Sequence, residues 1–132
     1  MTVLRRWRFR KRCRGLAEGC REASLATYLT GCADLRPSDV VQTPMIAVDL
    51  ELTGLDASRD QIISIGWTRI DDGRIQLGSN RHVLVTAAQS VGESAAIHEL
   101  TDSEVADGVK PRKALKKLFE AAAGRVWVFH HA

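Results

Sequence analysis

From Met45 onward the residues commit the chain to a sheet. "MIAVDL" at 45–50 and "QIISIGWTRI" at 61–70 are short apolar runs rich in β-branched residues. "DDG" at 71–73 supplies a turn whose glycine accepts positive φ. A third strand is expected from Arg74 through Leu77 and again from Arg81 to Val85. Three consecutive strands with short links make an antiparallel meander. After it, "TDSE" at 101–104 has the form of a capping box and announces a short helix. A second helix is expected from Pro111 to Ala123, with Ala114, Leu115, Leu118, Phe119 and Ala122 on one face and Lys113, Lys116 and Lys117 mostly on the other. Gly124 would close that helix, and "RVWVFHHA" reads as a further strand. The order β-β-β-α-α-β belongs to the α/β class with a mixed sheet.

The first third has a different texture. Residues 1–44 hold nine Lys or Arg against four acids, and residues 45–132 hold ten against twelve, so the net charge of +3 conceals a basic beginning and a mildly acidic remainder. We therefore divide the chain into a basic extension, 1–44, and a folded unit, 45–132. Seven of the ten residues in "RRWRFRKRCR" (5–14) are basic. That density suits an arm for nucleic acid or an anionic surface, or a solvated tail, better than a packed helix. Membrane-surface association through Trp7 and Phe9 is a weaker reading, because so short a stretch offers little apolar area. A weak helical pattern (Leu16, Cys20, Ala23, Thr27) over 15–35 ends at "LRPSD" and predicts a short helix running into a linker. Cys13, Cys20 and Cys32 show no zinc-like spacing and read as free thiols. No run approaches the ~20 apolar residues of a membrane span. A cytoplasmic location is the default expectation, with an Arg-rich organelle transit segment as the alternative.

The chemistry-bearing residues sit at the end of the first strand. Asp49 and Glu51 are two apart and share a face, while Leu50 points away. Two carboxylates brought together repel, more so if buried, and a resident cation relieves them. Mg²⁺ or Mn²⁺ suits such a pair, since these ions take one or two protein carboxylates and leave the rest of the shell to water and phosphate. On spacing alone, the same two residues read first as the exposed end of a strand before the Thr53-Gly54 turn, because D-x-E is a common tripeptide.

"DLELTGLD" at 49–56 closely resembles the first motif, D-x-E-T-T-G-L-D, of the DEDD (DnaQ-like) exonucleases, a group that includes the proofreading epsilon subunit of bacterial DNA polymerase III. "RDQIISIGWTRIDDGRI", "SVGESAAIHELTDSEVADG" and "GRVWVFHHA" are similar to later parts of that family in the same order. The resemblance implies an RNase H-like exonuclease fold. It also implies hydrolysis of phosphodiester bonds from a nucleic-acid 3′ end, DNA ahead of RNA, with two Mg²⁺ or Mn²⁺ ions. On this resemblance Asp49 and Glu51 are the catalytic metal ligands. Thr53 and Gly54 would be backbone donors and Leu55 an apolar wedge at the terminal nucleotide, Ile97 and His98 would line the substrate side, and His130 would take a supporting place. A polymerase is an implied partner, and stable membrane association is not expected.

Residue 52 is Leu where that family has Thr, and residue 99 is Glu where it has Gly. The family's remaining metal ligands and its general base correspond to no residue up to Ala132, so the chain is expected to be a truncated exonuclease, inactive alone. The reading from another class is a nucleic-acid-binding or interaction module that keeps the fold without the catalysis.

Overall fold

The computed structural model describes residues 3–36, 39–54, 56, 58–87 and 106–129. Two helices, α1 (Val3–Glu18) and α2 (Ala23–Asp34), precede three strands, β1 (Met45–Leu52), β2 (Ile62–Asp71) and β3 (Arg74–Leu84). Helix α3 (Pro111–Ala122) and strand β4 (Val126–Phe129) follow. The strands form one mixed sheet in the order β3-β2-β1-β4, antiparallel between the first three and parallel between β1 and β4. The predicted meander and mixed α/β class are therefore present, compatible with an RNase H-like exonuclease fold. The capping-box segment 101–104 lies outside the described residues.

The β2–β3 turn forms for the reason the sequence supplies. Asp72 and Gly73 both take positive φ, 51° and 68°, the primed turn whose twist matches a hairpin. The anticipated interruption of the third strand is a large bulge. Arg69 pairs with Gln76 and Trp67 with Arg81, so β3 has three more residues than β2 between those pairs. Ser79 closes the gap: its hydroxyl accepts the Arg69 N–H at 2.8 Å and donates to the Gln76 carbonyl at 2.7 Å. One continuous strand with a hydroxyl-plugged bulge replaces two half-strands.

The core lies between the sheet and α3. Ile46, Val48, Ile65, Trp67 and Val85 meet Ala114, Leu118 and Ala122, all buried. The helix face predicted from spacing is thus the face that packs, and Gly124, at φ 71°, ends the helix as expected. Arg125 clamps the sheet where β1 begins, placing its guanidinium on the Asp71 carboxylate at 2.5 and 3.3 Å and on the Met45 carbonyl at 3.2 Å.

Two expectations for the first third are corrected. The basic stretch, whose charge density disfavoured a packed helix, is helical, and the pattern over 15–35 spans two helices that break between Glu18 and Ala23. Arg, Lys, Leu and Ala are strong helix formers, and their propensity holds even where no apolar stripe exists. Helix α1 lies on α2 through buried Cys13, and α2 packs on α3, where Tyr28 meets Phe119 and Trp127 at ring separations of 5.4 and 5.7 Å. Arg112 of α3 grips Glu22 at 2.6 and 3.0 Å, and those bonds hold the Glu22 carboxyl below its ordinary range. All three cysteines are unpaired. Burial, then the neighbouring Cys32, pushes the Cys13 thiol up, which makes it a poor nucleophile. No described helix is long and apolar enough to cross a membrane.

Candidate active site

Alternation along β1 builds the site. Ile46 and Val48 point into the core, and Leu50 follows them on the same face. Ala47, Asp49 and Glu51 therefore take the opposite face, which α3 does not cover. The two carboxylates stand on that face at the carboxyl end of β1, the strand at which pairing changes from antiparallel to parallel. Ligands of open α/β sheets gather at such carboxyl ends, beside a change in strand order. One premise from the sequence is revised: Asp49 is exposed and Glu51 only half-buried, so water screens much of their repulsion. The argument for a cation rests on their shared face instead of their burial.

A groove of about 860 Å³ runs beside Asp49 over Ala47, Gly66, Thr68, Val128 and His82. Its shape follows from register. Asp49 is opposite Gly66, and Gly66 is opposite His82, so a row of three positions crosses the sheet with no side chain in the middle. Sequence reading missed His82 and its neighbours Asn80 and Arg81, which also line the groove. Their place depends on a three-residue bulge that no alternation pattern encodes.

The motif loop beyond Glu51 is fixed by Asp60. One oxygen of its carboxylate accepts the Thr53 hydroxyl at 3.1 Å and the other accepts the Asp56 N–H at 2.7 Å. The Thr53 hydroxyl in turn accepts the Gln61 N–H at 3.0 Å, and the Thr53 N–H donates to the Gln61 carbonyl at 2.9 Å. The Thr53 hydroxyl and N–H are therefore both engaged inside the loop. Gly54 is explained by space: a Cβ there would stand 2.5 Å from Asp60 Oδ2. Ser58 donates to Asp56 through both its N–H and its hydroxyl and holds that carboxyl below its ordinary range. Asp60 was not singled out from the sequence, because a contact between the two ends of a loop has no periodic signature. Leu55, Ile97, His98 and His130 lie outside the described residues.

A strand-end carboxylate pair, one member of which lines a groove, followed by a loop that an acid folds back on itself, gives structural context to the D-x-E-x-T-G-L-D spacing. The family model for the RNase T type, described as Exonuclease, matches residues 46–132, more than half of the chain. The chain belongs to this exonuclease family. No curated protein matches it closely enough to add a relative. Membership makes it a protein of a nuclease, and so hydrolase, family whose substrates are nucleic acids and whose members generally use divalent metals.

The donors present fit such an ion. Asp49 and Glu51 offer hard oxygen ligands from one face, the number Mg²⁺ or Mn²⁺ commonly takes from protein. Among the described residues, no group of three or more His, Cys, Asp or Glu converges to complete a protein cage. Water and phosphate oxygens would have to fill the remaining positions.

Proposed function

We propose that this exonuclease domain serves removal of nucleotides from the 3′ end of a nucleic acid, DNA ahead of RNA, with Asp49 and Glu51 holding Mg²⁺ or Mn²⁺. The observation that carries the reading is the placement of both carboxylates on the face of β1 opposite α3, with Asp49 lining a groove of nucleotide-accommodating size. When bound there, the ions supply Lewis-acid activation of the attacking water and neutralise charge on the leaving oxygen. The chain's own residues bind and orient. Asp49, exposed, meets incoming ligands, and Glu51, half-buried beside the buried Ser64 across the strand pair, is held more firmly. The Asp60-pinned loop follows the pair directly in sequence, and Gly54 lets the Asp60 carboxylate close against it. Leu55 and His98 complete the substrate side on the strength of the family resemblance alone. Nothing among the described residues selects a polymerase partner.

Mn²⁺ calorimetry on this chain and on Asp49→Ala tests the proposal without requiring turnover. Weak binding that the substitution abolishes is the expected result. No heat with either protein, or equal heat with both, would sink the carboxylate assignment. The second reading, a binding module without catalysis, draws on the fact that no group of three or more donors gathers among the described residues. For the same reason the 132-residue chain should show negligible trimming of a 3′-labelled strand. Metal-dependent trimming abolished by Asp49→Ala would overturn that expectation and the binding-module reading together.

A further inference from the structure

Helix α1 carries far more charge than its packing needs. It holds seven cations and one acid, Glu18, and from Leu4 onward Cys13 is its one buried hydrophobic residue. Asp34 of α2 answers Arg14 at 2.9 Å and Arg10 at 3.9 Å. Arg5, Arg8, Lys11 and Arg12 are exposed, and none forms an ion pair with a described residue. So dense a positive surface raises the local concentration of anions and needs a polyanion to neutralise it.

The apolar residues of α1 decide between polyanions. Leu4, Trp7, Phe9 and Leu16 are all roughly half or more exposed, at 58%, 57%, 48% and 53%. At about 100° per residue, Leu4 and Trp7 fall on one side of the helix, and Phe9 and Leu16 fall on the other beside Cys13. A helix that lies in a bilayer interface needs one continuous apolar face, and α1 has none. A nucleic-acid backbone makes no such demand: it needs spaced cations, and single strands also use an aromatic ring on which a base can stack. Arg6, Trp7, Arg10, Lys11 and Arg14 line a groove along one side of α1, with the Lys11 ammonium 5.4 Å from the Trp7 ring centroid. That cation steadies the ring and places positive charge next to a stacking surface.

We propose that α1 is a second nucleic-acid-binding surface, one that grips the phosphate backbone at a place separate from the carboxylate groove. The separation follows from the layers. Helix α1 packs on α2, α2 on α3, and α3 on the face of the sheet opposite Asp49 and Glu51. Contacts made by α1 therefore retain a strand without touching the reacting phosphate. The choice of ligand class rests on the exonuclease reading; the surface itself does not.

Fluorescence anisotropy of a labelled single-stranded oligonucleotide in EDTA isolates α1, because metal-dependent binding in the groove is then absent. The quadruple variant Arg5→Gln, Arg8→Gln, Lys11→Gln, Arg12→Gln leaves the Asp34 pairs intact, and circular dichroism checks that the helix persists. It should lose at least tenfold in affinity, and its plot of log affinity against log salt should flatten by up to about 3, at about 0.7 per lost phosphate contact. A charge-comparable control, Lys113→Gln, Lys116→Gln, Lys117→Gln on α3, should lose far less. Equal losses in the two variants would show generic attraction and overturn the proposal. So would an unchanged salt slope, or anionic phosphatidylserine vesicles captured through α1 while oligonucleotide affinity stays the same. If α1 passes this test and Asp49→Ala leaves Mn²⁺ binding untouched, the groove assignment fails and the α1 surface stands.

Discussion

The two faces of β1 are made from one eight-residue segment and answer to different demands. Ile46 and Val48 are almost wholly removed from water and meet α3, whereas Ala47 and Asp49 line a groove on the opposite face, which Glu51 shares. The covered face is constrained by volume, since interiors are packed too densely to forgive a lost methylene. The open face is constrained by charge and by empty space, and neither contributes much to folding. Stability and function should therefore separate by residue parity along this strand.

The largest effect expected lies on the covered face. Ile46→Ala removes a fully buried side chain and should cost about 2–5 kcal/mol. A domain stable by about 5–15 kcal/mol would lose a large share of its margin, visible as a shift in the urea midpoint. Asp49→Ala, three residues on, should stay within about 0.5 kcal/mol of the parent while losing Mn²⁺ binding. Comparable destabilisation by both would break the division between faces.

A smaller loss is expected where α2 meets the end of α3. A Cβ on Gly31 would run into the backbone of Ala123 and Gly124, including the Ala123 carbonyl carbon at 3.0 Å. Helix propensity favours alanine by about 1 kcal/mol, but overpacking against backbone costs about 1–3 kcal/mol, and backbone cannot rotate aside. Gly31→Ala should therefore be destabilising, with a change in the near-ultraviolet dichroism of the Tyr28, Phe119 and Trp127 cluster. An unchanged spectrum and midpoint would mean that α2 is not held firmly against α3.

These contrasts also mark how far the sequence could be read. Strands β1 and β2 and helix α3 were legible because one face of each is buried, and burial writes a period of two or 3.6 into the residues. The "DDG" turn was legible because few residues tolerate the backbone it adopts. Helix α1 was not legible as a helix: cations on every side leave no stripe, and from Leu4 onward burial falls on Cys13 alone. The carboxylate pair was visible from spacing and motif, but the Asp60 clamp and the His82 side of the groove were not. Both depend on where a loop or a bulge returns the chain, which is a property of the fold and not of any local pattern.

The Asp60 clamp tests whether the motif loop matters to the open face. Asp60→Ala removes the acceptor for the Thr53 hydroxyl and the Asp56 N–H. With water available to both groups the cost should be about 1 kcal/mol, felt locally. Amide exchange at Asp56 should quicken and Mn²⁺ affinity should fall severalfold, although no proposed ligand has changed. Unaltered affinity would detach the loop from the site.

Gly66→Ala sharpens the comparison most finely, because a covered-face rule would forbid it and an open-face rule allows it. The new methyl would meet Asp49 Cβ and the Asp49 carbonyl at 3.9 Å and the Arg81 carbonyl at 4.0 Å, all ordinary van der Waals distances. Gly66 does not adopt positive φ, so alanine fits its backbone, and restricting the unfolded chain should leave stability unchanged or raised by about 0.4–1 kcal/mol. The same methyl would stand in the row between Asp49 and His82, in space the groove keeps open. Stability should hold while nucleotide binding in Mn²⁺ weakens, measured by anisotropy in a background lacking the α1 cations. If stability fell instead, the glycine would belong to the packing of the sheet, and the emptiness beside Asp49 would be incidental to the site.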